Sequence, residues 1–149
     1  MIPVRFSTDF LDFFKALNDA GVRYLVIGGY AVAFYGYPRA TKDVDLWIEM
    51  RPENAKRVLK AIENFFGEDL GLTLEDLTTP GVIQLGRAPN RIDLVLIPEE
   101  TAPFAPAYAA RTIAKIEGVP IPFVGVKTLK ALKRAFGRTQ DLADLEALE

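Results

Sequence analysis

The stretch Ile27–Glu49, IGGYAVAFYGYPRATKDVDLWIE, decides the fold. Gly28 and Gly29 follow a short apolar run, and Asp43 and Asp45 bracket a single valine in a segment that reads as a strand. Side chains at positions i and i+2 of a strand share a face, so these two carboxylates point the same way. They repel each other by roughly a kcal/mol or more unless a cation lies between them. The stretch therefore predicts a strand that presents two acids to a cation.

The same stretch, with one later residue, indicates phosphate chemistry. Mg²⁺ takes oxygen ligands and usually retains water and substrate phosphates. Glycine lets a backbone approach a ligand closely, and free N–H groups at a helix N-terminus favour phosphate. Asp93, in the apolar strand RIDLVLI, is a third acid, and a buried acid needs a partner such as a metal shared with Asp43 and Asp45. This combination indicates phosphoryl or nucleotidyl transfer.

Composition removes several other classes of enzyme. The 149 residues suggest one domain, half of them are hydrophobic, and cysteine and histidine are absent. Ser7 is the only serine and lies where a helix should start, so serine hydrolase, cysteine protease and zinc hydrolase chemistry is nearly excluded. No apolar run reaches the length of a membrane span and no signal-peptide pattern is seen, so we expect a cytoplasmic protein that uses no membrane.

The order of elements predicts an α+β class, with a small mixed sheet, helices packed on one side and a short C-terminal helical part. A core over residues 1–98 precedes an extension over 99–149 with a hairpin and two helices, together forming a single domain. The Pro-rich patch Pro98–Pro106 is the one plausible joint. Helices are expected after Ser7, from Tyr30 to Tyr35, from Pro52 to about Phe66, over Val126–Phe136 and over Gln140–Leu148. Strands are expected over Arg23–Ile27 and Asp43–Glu49, with hairpins at Val82–Ile97 and Thr112–Phe123.

The motifs resemble the DNA polymerase beta-type nucleotidyltransferase superfamily. Its pattern of apolar-Gly-Gly, Asp-apolar-Asp-apolar and a later lone Asp is matched by Gly28, Gly29, Asp43, Asp45 and Asp93. The tail LKALKRAFGRTQDLADLEAL is similar to that of small bacterial and archaeal members, including the AbiEii-like toxin nucleotidyltransferases. The family's later motifs, a Lys and then an Arg followed by Asp-Leu, fall on Lys133, Arg138 and Asp141.

The resemblance implies an activity and a set of partners. Asp43, Asp45 and Asp93 would hold Mg²⁺ or Mn²⁺ and, with Lys133, be catalytic. A nucleoside triphosphate would give its monophosphate to a hydroxyl acceptor, on a tRNA or other RNA 3′ end, a protein or a small molecule, releasing pyrophosphate. The residues expected to bind the nucleotide are Gly28, Gly29, Tyr30, Arg39, Thr41, Lys42, Arg138 and Asp141. Many family members carry Ser where this chain has Gly29, so phosphate binding would rest on backbone N–H groups and on Arg39 or Lys42.

Other interpretations of these residues stay open. Asp43 and Asp45 could be edge-strand charges, Gly28-Gly29 an ordinary turn, and Asp93 the ion-pair partner of Arg91 or Arg87. Arg39 and Thr41 could serve loop solubility and a strand cap, and Arg138 could simply pair with Asp141 at a helix start. The whole protein could be a catalytically silent binding module with a cognate partner in a toxin–antitoxin pair, or a metal-stabilised structural protein.

Helical periodicity separates the lysines of the basic segment that follows Gly125. Val126, Leu129, Leu132 and Phe136 form an apolar stripe. Lys133 lies at the edge of that stripe, where a lysine can bury its stem and still reach a cleft. Lys127, with the other basic residues, lies away from the stripe. We therefore expect Lys133 to reach the site and Lys127 to face water.

Overall fold

The computed structural model describes residues 4–37, 43–87 and 89–149, and in these ranges the chain forms a mixed sheet. The strands are β1 (Tyr24–Ile27), β2 (Asp43–Ile48), β3 (Gly81–Leu85), β4 (Arg91–Leu96), β5 (Thr112–Ile116) and β6 (Val119–Phe123). They lie in the order β3-β4-β2-β1-β6-β5. β2 pairs in parallel with β4, and β1 with β6, whereas the other neighbours are antiparallel. The predicted mixed sheet and both predicted hairpins are therefore present.

The structure has helices at all five places that the sequence pattern predicts, together with one unexpected helix. They are α1 (Thr8–Asp19), α2 (Gly28–Phe34), α3 (Pro52–Phe66), α4 (Phe104–Ala109), α5 (Val126–Phe136) and α6 (Thr139–Leu148), and a 3-10 turn spans Asp76–Thr78. Ser7 caps α1, because its hydroxyl accepts the Phe10 N–H at 3.2 Å. Gly67 and Gly137 end α3 and α5 in the left-handed conformation.

Two of these elements were missed by the sequence pattern. Neither α4 nor the 3-10 turn was expected, since the Pro-rich patch was interpreted as a joint. Pro103 is instead the N-cap of α4, and Pro106 lies in its first turn. Proline is tolerated there because the first turn of a helix does not use its own N–H groups for intrahelical bonds.

The sheet is covered on both faces, which corrects the expectation that helices pack on one side. Alternate residues of β1 separate into two cores: Tyr24 and Val26 pack with α1 and α3, whereas Leu25 and Ile27 pack with α4, α5 and α6. Trp47 of β2 joins the second core and contacts Phe104 edge-on, with ring centroids 5.3 Å apart. α1 and α3 therefore pack on one face of the sheet, and α4, α5 and α6 pack on the other.

The C-terminal part continues the same sheet. β6 pairs with β1 at Val26 and Phe123, so the hairpin β5–β6 extends the sheet beyond β1. α5 and α6 then return across the face that carries Asp43 and Asp45, which share that face with Trp47. In the described ranges, we find no helix long and apolar enough to cross a membrane.

Candidate active site

Strand register brings the predicted carboxylates together. β2 and β4 run in parallel, with Asp45 directly opposite Asp93 and Asp43 opposite Arg91. Because side chains at i and i+2 share a face, Asp43, Asp45 and Asp93 all point from the same side of the sheet. β1 places Ile27 on the other flank of Asp45, so the acids lie close to the turn that follows β1.

Asp45 and Asp93 lie side by side on neighbouring strands, and their side chains interact directly. Burial, with the negative charges of Asp93 and Asp43, raises the pKa of Asp45 to about 6, and Lys133 only partly opposes this. A hydrogen bond between the Asp45 and Asp93 side chains also raises this pKa. Neighbouring carboxylates at low solvent exposure repel each other, so the charged form of Asp45 is disfavoured. A positive charge placed next to these acids would therefore stabilise their ionised forms.

Arg91 supplies part of that charge. Its Nε and Nη2 donate to the Oδ1 and Oδ2 atoms of Asp93 at 3.0 and 2.9 Å. Nη2 also lies 3.5 Å from Asp43 Oδ2. The ion pair between Asp93 and Arg91, which the sequence left open as an alternative to metal binding, is therefore present.

The turn after β1 is built against Asp45. Gly28 has a φ of +70°, and a Cβ atom added there would lie 2.1 Å from Asp45 Oδ2. A side chain at residue 28 would thus strain the backbone and collide with the acid. The position that requires glycine is Gly28, the first residue of α2, whereas Gly29 is a buried residue within that helix.

Lys133 reaches the site from α5, as the apolar stripe predicts. Its side chain is only 6% exposed, and Nζ lies 3.2 Å from Asp141 Oδ1 and 3.0 Å from Asp144 Oδ2. Burial alone would raise the pKa of Asp141, but hydrogen bonds from Arg138 and Lys133 outweigh it, and the pKa is lowered. α6 therefore holds the Lys133 ammonium in place.

Arg138 has two contacts at once. Its Nε donates to Asp141 Oδ2 at 2.6 Å, and its backbone N–H donates to the same oxygen at 3.2 Å, so the pair caps α6. The alternative of a simple pairing at a helix start is therefore observed. The Arg138 side chain nevertheless stays 74% exposed and borders the same cleft as Asp45.

These elements enclose a cleft of about 700 Å³ with a charged end and an apolar wall. The charged end contains the acid pair together with Lys133 and Arg138. The apolar wall comes from the start of β3 and the residue before it, from β4 and its following loop, and from α5. Its residues are Pro80, Val82, Val95, Leu96, Ile97, Pro98, Leu129, Leu132 and Phe136. A cleft with this division suits a ligand with one anionic end and one apolar or aromatic end.

The predicted site residues separate into three groups. Among the residues that the structure describes, five line the cleft: Gly28, Asp45, Asp93, Lys133 and Arg138. Asp43, Gly29, Tyr30 and Asp141 lie behind or beside it: Asp43 near Arg91, Asp141 beneath Lys133, and Tyr30 with its ring centroid 4.6 Å from that of Phe6. Arg39, Thr41 and Lys42 lie outside the described residues.

The acids offer the oxygen atoms that a hard divalent cation prefers as ligands. Their side chains are not, however, arranged around a common point in this structure. Asp45 and Asp93 are oxygen donors held side by side on neighbouring strands, and oxygen is the ligand that such cations prefer. In residues 4–37, 43–87 and 89–149, no three acidic side chains are grouped as a ready metal site. The guanidinium of Arg91 bonds Asp93 and approaches Asp43, so a site formed by all three acids needs Arg91 to move.

Sequence reasoning missed two polar residues of the site. Asp144 was not proposed, although it follows Asp141 by three residues and therefore shares its helix face. Arg91 was considered only as an alternative partner of Asp93. Its spacing of two residues from Asp93 within one strand is the signal that places the two side chains on the same face.

The chain shares its fold with a solved nucleotidyltransferase-like protein. It is similar to the crystal structure of an antigenic nucleotidyltransferase-like protein from Paracoccidioides brasiliensis, with a TM-score of 0.54 and 21% sequence identity. The match covers 96% of this chain and 77% of that chain. No protein-family model and no curated protein matches the sequence. This chain therefore has a nucleotidyltransferase-like fold, and the predicted α+β class is confirmed.

Proposed function

We propose that the protein is a metal-dependent nucleotidyltransferase that moves a nucleoside monophosphate from a nucleoside triphosphate to a hydroxyl acceptor. The observation that supports this best is the pairing of Asp45 with Asp93 beside Lys133, at the charged end of a 700 Å³ cleft. The likeness to a nucleotidyltransferase-like protein supports the same reaction class. The order Lys133, Arg138, Asp141 supports a relation to the small toxin-type members.

In this reaction the acids would bind metal and the basic residues would bind phosphate. Asp45, Asp93 and Asp43 would hold Mg²⁺ or Mn²⁺, which supplies charge neutralisation for the phosphates when bound. Lys133 and Arg138, the cations at the cleft, would contact the triphosphate oxygens and stabilise the charge that develops during transfer. The missing side chain at Gly28 leaves room for the Asp45 carboxylate, which would keep this acid in place beside the turn.

The transfer itself is an in-line displacement. The acceptor hydroxyl oxygen forms a bond to the α-phosphorus, and the bond from that phosphorus to the bridging oxygen of pyrophosphate breaks. Pyrophosphate leaves with the bonding pair, and Asp93 takes the hydroxyl proton. The apolar wall formed by Val82, Val95 and Phe136 would receive the nucleobase. The acceptor is a tRNA or other RNA 3′ end, a protein hydroxyl or a small molecule, and a cognate partner protein could present it.

Incubation with each α-labelled nucleoside triphosphate and Mn²⁺ tests the proposal. The protein, alone or with a total RNA and protein extract, should release pyrophosphate and label an acceptor, and Asp45→Asn should not. Lys127→Ala is the matched control, since Lys127 is exposed on the far side of α5. Nucleotide binding without pyrophosphate release under all these conditions would instead mark a silent binding module and contradict the proposed reaction.

A further inference from the structure

Among the residues that the structure describes, Arg91 is a cation of the site to which the proposed reaction gives no task. It stands two residues before Asp93 on β4 and bonds both carboxylate oxygens of Asp93. Its Nη2 reaches towards Asp43 on the neighbouring strand, at 3.5 Å. A fork of two N–H groups on one carboxylate is among the strongest ion pairs that proteins form. Arg91 therefore neutralises two of the three acids expected to bind metal.

We propose that Arg91 is a resident counter-ion that competes with the divalent cation and thereby sets the metal affinity of the site. This inference rests on the proposed function, since it concerns the same three carboxylates. Arg91 donates to both oxygens of Asp93, the same atoms that would have to coordinate a metal. A guanidinium and a divalent cation on the same oxygens would also repel each other strongly. The present position of Arg91 therefore disfavours a metal bound by Asp43 and Asp93.

The exposure of the two partners shows which of them can move. The Arg91 side chain is 36% exposed, whereas that of Asp93 is 9% exposed. Arg91 is the first residue of β4, so its side chain can rotate into solvent without unpacking the sheet. Asp93 cannot follow it and would be left charged and poorly solvated unless a cation replaced the guanidinium.

Lys133 provides a contrast within the same cleft. Its side chain is 6% exposed and is held by Asp141 and Asp144 from α6. Lys133 is thus a fixed cation, whereas Arg91 is a displaceable one. The arrangement predicts a metal-free state in which Arg91 neutralises charge on Asp93 and Asp43. Metal affinity should therefore be weaker than three free carboxylates would provide.

Mn²⁺ binding to the metal-free protein tests this, with the free ion measured by electron paramagnetic resonance and no nucleotide present. Arg91→Gln should bind Mn²⁺ at least about tenfold more tightly than wild type, since a tenfold change needs only a modest interaction between adjacent charges. Arg87→Gln is the matched control: it removes the same charge from an exposed residue of the β3–β4 turn. It should change the affinity by less than about twofold.

Thermal melting and a second variant, Arg91→Lys, keep the test valid if Arg91→Gln folds poorly. Arg91→Gln should melt at a lower temperature than wild type in chelator, because Asp93 loses its partner, and should gain more from Mn²⁺. Arg91→Lys keeps the charge but loses the two-pronged bond, so its Mn²⁺ affinity should lie between those of wild type and Arg91→Gln. If Arg91→Gln does not fold without metal, the comparison of Arg91→Lys with wild type decides the matter.

The outcomes separate this inference from the proposed function. If wild type binds Mn²⁺, Asp45→Asn does not, and Arg91→Gln binds no more tightly than Arg87→Gln, the competition is refuted while the metal site stands. If neither wild type nor Arg91→Gln binds Mn²⁺ at millimolar concentration, the metal site itself is refuted and both proposals fall. Tighter binding in Arg91→Gln alone, with the intermediate value in Arg91→Lys, supports the competition.

Discussion

Gly28 and Asp45 are built against each other: a Cβ atom at residue 28 would lie 2.1 Å from Asp45 Oδ2. The contact joins the turn after β1 to the acid in the middle of the candidate site. Of the two glycines in the motif, Gly28 is the one whose backbone requires glycine, since its φ is +70°.

The first prediction is that Gly28→Ala disturbs the site and not only the backbone. A positive φ with a β-carbon costs of order 1 kcal/mol, and the collision with Asp45 should bring the loss in unfolding free energy to roughly 2–4 kcal/mol. Displacement of Asp45 should also weaken Mn²⁺ binding by at least about tenfold. Chemical denaturation and Mn²⁺ titration measure the two effects.

Gly71→Ala is the control for Gly28→Ala. Gly71 has a φ of +74°, yet a Cβ atom there would meet nothing within 4 Å. It should therefore lose only about 1 kcal/mol of stability and keep its Mn²⁺ affinity. Equal effects of the two substitutions on Mn²⁺ binding would show that the contact between Gly28 and Asp45 does not serve the site.

The second prediction concerns pH and Asp45. Because the pKa of Asp45 is raised to about 6 in the folded protein, the folded state binds more protons than the unfolded state between pH about 4 and 6. Without metal, stability from this group is therefore present at low pH and lost as pH rises through 6. Asp45→Asn should then be more stable than wild type by about 1–2 kcal/mol at pH 7.5, allowing for solvent screening, and lose that advantage below pH 4.

Urea denaturation in chelator at pH 4 and pH 7.5 measures this difference between variant and wild type. The same substitution should lower nucleotide transfer by at least about a hundredfold, since it removes a charged oxygen from the centre of the site. An Asp45→Asn protein that is less stable than wild type at pH 7.5 would contradict the unfavourable ionisation of Asp45. One that transfers at the wild-type rate would contradict the role of this acid in the reaction.

Much of the fold could be predicted from local patterns. The period of α5 placed Leu129 and Leu132 in the core and Lys133 at its edge, because a helix of this amphipathicity has one way to bury its stripe. The alternation in β2 placed Asp43 and Asp45 on one face for the same kind of reason. That helices cover both faces of the sheet was not predictable in this way. The pattern of each helix identifies its apolar side, but it does not identify the sheet face against which that side packs.

The partners within the site were less accessible to sequence reasoning. Asp141 and Asp144 meet Lys133 only because α6 packs on α5, a tertiary contact that no period of either helix encodes. Arg91 was visible as a neighbour of Asp93, but its approach to Asp43 depends on the register of β2 against β4. Positions within one element were thus predictable, whereas contacts between elements were not.

The third prediction separates a structural lysine from an active-site lysine. Lys133→Ala should lower the unfolding free energy by about 3 kcal/mol, because it strands the buried acids Asp141 and Asp144, and should cut transfer by about ten- to a thousand-fold. Lys127→Ala, on the exposed side of α5, should change stability by less than about 0.5 kcal/mol and transfer little.

A second substitution distinguishes the two roles of Lys133. Adding Asp144→Asn to Lys133→Ala removes one stranded charge, so the double variant should regain part of the lost stability in thermal melts. Transfer should stay low, because the ammonium that faces Asp45 is still missing. Recovery of transfer together with stability would mean that Lys133 serves the fold alone.

The last prediction tests whether the apolar wall of the cleft receives the nucleobase. Val82 on the edge strand β3 is 63% exposed and lines this wall, so Val82→Asp should leave the core intact. The new carboxylate would have to be desolvated beneath a bound base and would repel the triphosphate, so Mg²⁺–nucleotide affinity should fall by about tenfold or more.

Ile113→Asp is the matched control, since Ile113 is 56% exposed on the opposite edge strand, β5. Calorimetric titration compares both variants with wild type. Equal losses of affinity would reflect the added charge alone, and an unchanged affinity in Val82→Asp would exclude this wall as the base site.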